Sequence, residues 1–311
     1  MIKLSLNPLL KTDQIGHDMS QSVRENLTPR QVAQAIGVSE SSLKRWCDRG
    51  IIETVRTGGG HRRLPRSSVL EFIRKNGHEL ADPGILGLPK NSGQGSSDAL
   101  STREKFVDAL VKGREELARQ IIWDLYLGGQ SLDHIFDGVI APAMSDIGQQ
   151  WDCGDVAVHQ ERLGVQIVLR ILHELRQSLP AVESSVIAVG GTIEGDQYVL
   201  PTTMVELMLR THGVRATLLG TSLPFDTLCD AIQKHQPALF WLSVSHIVDE
   251  QQFLTGIQRL SDEARSRKIP LIVGGAKLSP ELRREMPFAI YCDSMRQLVG
   301  YLETHPPQSR Q

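Results

Sequence analysis

The apolar positions change their period three times along the chain, and each change marks a module. Behind Thr28, a good N-cap, and Pro29, suited to a first helical position, Val32, Ala35 and Ile36 recur at helical spacing until Gly37 stops them. Ser39 then caps a second helix whose buried side is Leu43 and Trp46. In "TVRTGGGHRRLPRSSVLEFIRKNG" the glycines Gly58 to Gly60 predict a flexible hairpin tip. "HELADPGILGLPKNSGQGSSDALS", with Pro83, Pro89 and a Gly/Ser/Asn cluster, predicts a flexible linker over 78–101. From 102 to 179 apolar residues fall at i, i+3 and i+4. They predict a four-helix bundle punctuated by Gly128-Gly129 and Gly154, with Ser131 and Asp155 as N-caps. After Pro180 short apolar runs take over: "SVIAVGG", "RATLLG", "ALFWLSVS", "PLIVGG" and "FAIYC", separated by amphipathic helical stretches. That alternation predicts a parallel sheet covered on both faces. The expected fold is multidomain, α and α/β. It comprises a helix-turn-helix with a hairpin wing over 24–77, a four-helix bundle over 102–179, and a five-stranded, doubly wound, Rossmann-like parallel sheet over 180–305.

Charge separates the first module from the rest. Of 34 Lys and Arg and 36 Asp and Glu, the stretch from Arg24 to Lys75 holds 11 basic and 5 acidic residues, leaving 23 against 31 elsewhere. A small basic module thus joins a larger acidic body. Alone, the bias is also that of a solvated basic face, and the glycine tip that of a β-turn which binds nothing. Helix, short turn, helix and basic tip together point to double-stranded operator DNA. Ser41, Lys44 and Arg45 stand on the exposed side of the second helix, and Arg56, His61, Arg62 and Arg63 flank the tip, where arginine suits phosphate.

Other classes receive little support. No apolar run approaches the ~18 residues of a membrane helix, and "MIKLSLNPLLKTDQ" lacks a secretory pattern. Cys47, Cys153, Cys229 and Cys292 are scattered, as reduced thiols of a cytoplasmic protein would be. There is no nucleophile elbow, P-loop or dense set of metal ligands, so a non-enzyme is expected. In a parallel sheet a ligand sits beyond the carboxyl ends of the strands, here at 190–198, 220–224, 243–249 and 274–278.

The stretch 25–77, with "TGGGHRR", resembles the winged helix-turn-helix of MerR-type regulators. The bundle and sheet resemble the cobalamin-binding module of methionine synthase and corrinoid proteins. In the bundle, "QWDCGDVAVHQE" carries a Trp and "GxVxxxxE" signature at Trp151, Gly154, Val156 and Glu161. In the sheet, "LLGTSLP", "FWLSVS" with Ser243, and "PLIVGGAKLS" with Gly274 and Gly275 follow in the family's order. Joined, these parts resemble the cobalamin-dependent, light-responsive repressors of carotenoid synthesis. The resemblance implies a repressor that assembles as a dimer or tetramer and takes a tetrapyrrole, adenosylcobalamin above all, between bundle and sheet. It implies cofactor contacts at Trp151, Glu161, Asp196, Tyr198, Ser243, Gly274 and Gly275.

One motif departs. The family's Asp-x-His-x-x-Gly aligns as Asp196-Gln-Tyr198-Val-Leu-Pro201, so a phenol stands where an imidazole would ligate cobalt. A phenol must lose its proton to ligate well, whereas imidazole is a neutral donor near pH 7. Tyr198 is therefore either a metal ligand of a different kind or a packing residue. Glu161 is followed by Arg162, where the light-responsive members carry His. Haem, with Tyr198 or a His as ligand, and no cofactor at all are the alternatives to cobalamin. A corrinoid-type methyl carrier or enzyme module is the alternative function.

Overall fold

A computed structural model of the chain describes residues 26–92, 99–287 and 290–309. The N-terminal stretch, with Arg24, the Gly/Ser cluster at 93–98, and Phe288 and Ala289 of the last apolar run lie outside the described residues.

The head is built as its caps dictate. Helix α1 (Pro29–Ile36) opens with a capping box. The Gln31 amide donates to Thr28 Oγ1 at 3.2 Å and the Thr28 amide to Gln31 Oε1 at 2.9 Å. Gly37 ends it in the left-handed conformation, φ 74°. Helix α2 (Glu40–Asp48) starts at Ser39, whose hydroxyl accepts from the Ser42 amide. Leu43 is fully buried, while Trp46 is half-buried against Phe72, ring centroids 5.1 Å apart. Strands β1 (Asn26–Leu27), β2 (Val55–Arg56) and β3 (Arg62–Pro65) form an antiparallel sheet in the order β1-β3-β2, and α3 (Arg66–Asn76) closes the head.

Residues 78–92 correct the expectation of a flexible linker. The Ala81 and Asp82 amides donate to Ala35 O, Pro83–Leu86 forms a turn of 3₁₀ helix, and Leu86 and Leu88 are buried. Apolar residues between the prolines outweigh the flexibility that composition suggests.

Four helical legs follow: α4 (Ala99–Val111), α5 (Glu115–Leu127), a third leg, and α8 (Val158–Ser178). The third leg runs as α6 (Leu132–Ile135), a π-helical turn (Phe136–Ile140) and α7 (Ala141–Asp152). Asp155 is not the cap of α8. The helix opens at Ala157, whose amide donates to Gln160 Oε1 at 2.9 Å. The π turn places Asp137 so that its carboxylate accepts the Met295 and Arg296 amides, both at 2.9 Å, tying the bundle to the last helix of the sheet domain.

Five parallel strands complete the chain: β4 (Ile187–Thr192), β5 (Arg215–Leu218), β6 (Leu239–Ser243), β7 (Leu271–Gly274) and β8 (Ile290–Tyr291), ordered β5-β4-β6-β7-β8. The helices are α9 (Val199–Thr211), α10 (Phe225–His235), α11 (Glu250–Ser266), α12 (Pro280–Glu285) and α13 (Met295–Thr304). Strand β6 is buried throughout, and its pleat sends alternate residues to different cores. Leu239 and Trp241 join a cluster that continues through Leu207 and Leu298 into the bundle and on to Leu43 and Leu70 of the head. Phe240 and Leu242 join Leu228, Ile257 and Val273 on the other face. Head, bundle and one sheet face therefore share one apolar cluster.

Candidate functional site

Two surfaces carry the candidate residues. On the head, Ser41, Lys44 and Arg45 are exposed on α2, and Arg49, absent from the sequence reading, is exposed just after it. Lys44 is paired with Glu40 one turn back at 2.9 Å. Among the described residues Arg45, Arg49 and Arg63 have no ion-pair partner. The wing pairs Val55 with Arg63 and Arg56 with Arg62. Its tip is closed by the Gly60 amide on Thr57 O at 2.8 Å and by Arg56 Nη1 on Gly60 O at 3.2 Å, with His61 exposed. Arg62 is placed otherwise than a free phosphate contact. Its Nη2 lies 2.7 Å from Asp48 Oδ1, strapping β3 to the last turn of α2. Side chains alternate along a strand, so Arg63 points away from Arg62 and buried Leu64. The strap holds the wing beside the turn that carries Arg45 and Arg49.

The second surface is the carboxyl edge of the parallel sheet. Thr192, Ser243 and Gly274 lie in one row, paired across β4, β6 and β7. Behind the row sits Asp196, fully buried. Its carboxylate accepts the Tyr198 amide at 3.0 Å on Oδ1, and the Ser245 and His246 amides at 2.6 and 3.2 Å on Oδ2. Its own carbonyl accepts the Ser222 amide at 3.0 Å and the Thr192 hydroxyl at 2.7 Å. Asp196 thus locks the loops after β4, β5 and β6 together. Asp196→Ala would strip three amides of their acceptor and should cost about 3 kcal/mol. Tyr198→Phe, altering an exposed phenol, should stay within about 0.5 kcal/mol. Urea unfolding of both variants checks the contrast.

Tyr198 itself is 54 % exposed at the N-cap of α9. On the bundle, Trp151 is 47 % and Val158 55 % exposed, in a chain whose other tryptophans are buried or half-buried. Glu161 lies 3.3 Å from Arg162. His159 and His173 are exposed on α8, and His246, which the sequence reading passed over, is exposed on the loop that Asp196 holds. Its signal was only its place after a strand end.

The donors at this edge do not fit a cobalt held from below. Tyr198 offers a phenol where an imidazole would ligate, and no group of three or more His, Cys, Asp or Glu among the described residues is arranged for a metal ion. The glycine pair is also explained without a ligand. A Cβ on Gly274 would stand 2.4 Å from Cys292 O, and one on Gly275 2.1 Å from Val244 O. Backbone packing, rather than a ligand's approach, requires both glycines.

Residues 27–77 match a family model described as a helix-turn-helix domain, and residues 102–176 one described as a B12 binding domain. The HTH-type transcriptional repressor CarH of Myxococcus xanthus is 28% identical over 263 residues, covering 78% of this chain and 87% of that protein. The HTH-type transcriptional repressor CarA of the same organism is 21% identical over 280 residues, covering 87% and 94%. Among solved structures, the monomethylamine corrinoid protein of Methanosarcina barkeri shares the fold of bundle and sheet. Its TM-score is 0.57 at 16% identity, covering 67% of this chain and 100% of that one. The chain therefore joins a stretch that matches a helix-turn-helix domain to one that matches a B12 binding domain, with a Rossmann-like sheet behind it, and is similar over most of its length to the CarH and CarA repressors.

Proposed function

We propose that the chain is a cytoplasmic transcriptional repressor that binds double-stranded operator DNA through α2 and the wing, in the manner of MerR-type regulators. The observation that carries the reading is the Arg62–Asp48 strap, which sets the wing beside the turn bearing the unpaired Arg45 and Arg49. Ser41, Lys44, Arg56, His61 and Arg63 complete the DNA-facing set. No helix among the described residues is long and apolar enough to cross a membrane. Duplexes selected from a random pool by the full-length chain supply the probe for gel shifts. Lys44→Ala combined with Arg62→Ala should weaken binding by about tenfold or more, one lost phosphate contact and one loosened wing. Unchanged affinity would mean that the assigned surface is wrong.

The body is read as the sensing and assembly half, which brings two or four heads together so that linked half-sites are held by avidity. The match of residues 102–176 to a B12 binding domain favours cobalamin as the ligand, with Trp151 of the bundle and the residues of the sheet edge as the side chains that would hold it. Haem is the second tetrapyrrole. Visible spectra of the chain after incubation with adenosylcobalamin, hydroxocobalamin or haem, followed by desalting, decide between them. A retained, shifted band identifies the occupant. Loss of every band removes the sensing half and leaves assembly and DNA binding. A methyl carrier is disfavoured because its cobalt would need the imidazole that Tyr198 replaces.

A further inference from the structure

The junction between head and bundle is built as a specific interface. Arg66, the first residue of α3, leaves the head and enters the bundle. Its Nε donates to Leu86 O at 2.6 Å, its Nη1 donates to Ser178 Oγ, and its guanidinium lies 5.4 Å from the Trp123 ring centroid. Eight residues on, Arg74 donates to Gln130 O at 3.0 Å and lies over the Tyr126 ring at 4.7 Å. Two helical turns separate the arginines, so they project from one face of α3. Trp123 and Tyr126 are likewise one turn apart on α5.

A single carboxylate organises the junction. Glu174 of α8 accepts both Nε and Nη2 of Arg119, at 2.9 and 2.8 Å, and lies 3.7 Å from Arg66. Arg119 in turn donates to Gly87 O at 3.0 Å. The segment 83–88, α3, α5 and α8 are thus joined by one chain of charge-assisted hydrogen bonds. Arg66 and Glu174 side chains are 17 % and 20 % exposed. Burial pulls Arg66 below its ordinary pKa and the shared carboxylate holds Arg119 above it. Cations placed this way are directional, and a planar guanidinium sandwiched between carbonyl, hydroxyl and aromatic ring permits one orientation.

We infer that Arg66 and Arg74 fix the DNA-binding head on the bundle in one orientation, so that the arrangement of bodies, rather than a loose tether, sets the half-site spacing. The first clause concerns this chain alone; the second rests on the DNA-binding reading. The exposed face of α2 and the wing are left free by a junction made through α3.

Two measurements test it separately. Nitroxides on Gln34→Cys of the head and on native Cys153 of the bundle, with Cys229 and Cys292 replaced by serine, give a distance distribution by pulsed electron paramagnetic resonance. The labelled full-length chain is diluted with excess unlabelled chain. The inference expects one narrow peak, broadened about twofold or more by Arg66→Ala with Arg74→Ala. Glu174→Gln, which keeps the side-chain volume, gives an intermediate width. A broad distribution in the unaltered chain overturns the inference and leaves DNA binding intact. The second measurement moves the two halves of a selected duplex apart by about half a helical turn. The unaltered chain should lose about tenfold or more in affinity, as one of two linked modules disengages, and Glu174→Gln should lose clearly less. Equal tolerance in both overturns the inference. Failure of every duplex to bind alongside a narrow distance peak would instead sink the DNA-binding reading.

Discussion

Gly275→Ala is expected to destabilise the sheet domain by about 4 kcal/mol or more, the range of core overpacking joined to backbone strain. The added Cβ would meet Val244 O at 2.1 Å, Val244 C at 2.5 Å and Val244 N at 2.7 Å. None of these atoms can move aside cheaply. The Val244 amide donates to Gly274 O at 2.8 Å, and Val244 O accepts the Lys277 amide at 3.2 Å, so a shift breaks the junction of β6 and β7. Gly275 also sits at φ 135°, where a side chain is disfavoured. Thermal unfolding followed by circular dichroism reads the effect. Gly300→Ala in the middle of α13, with nothing within 4 Å of its Cβ, is the control and should raise stability by about 0.5–1 kcal/mol. Near-native melting of Gly275→Ala would show that the approach to Val244 is loose, and would return the glycine pair to the ligand.

Arg45→Ala with Arg63→Ala is expected to lower affinity for a selected duplex by about 10- to 100-fold. The slope of log affinity against log salt should fall by about 2. The two residues carry no ion pair among the described residues, so their charges are available to phosphate, whereas Lys44 and Arg62 are partly spent on Glu40 and Asp48. Lys44→Ala alone should therefore cost less than Arg45→Ala. Gel shifts at several salt concentrations separate the cases. An unchanged slope would remove both arginines from the interface, and a slope change without loss of sequence preference would make them phosphate contacts only.

The head was legible because its signals are local. Thr28, Pro29, Gly37 and Ser39 act on amides within four residues of themselves, and the helices begin and end where those caps stand. The strands were legible for a related reason. Runs such as "LFWLS" are apolar at every position, and only a strand covered on both faces buries all of them.

Contacts between residues distant in sequence were not legible. Nothing near Arg62 marks it as the partner of Asp48, and nothing near Arg66 announces Glu174, more than a hundred residues away. Composition made 78–101 look loose, yet Leu86 and Leu88 bury themselves in a core that only the folded bundle provides. Asp155 looked like a cap by residue type, but Gln160 reaches back to Ala157 instead. The chemistry of the sheet edge divides along the same line. The sequence by itself determined that a phenol replaces an imidazole at Tyr198, because side-chain identity fixes donor chemistry wherever the residue lies. Only the tertiary structure decided that Asp196 is spent on three amides and that Gly274 and Gly275 make room for backbone, because hydrogen bonding and steric exclusion depend on which distant segments the fold brings within a few ångströms.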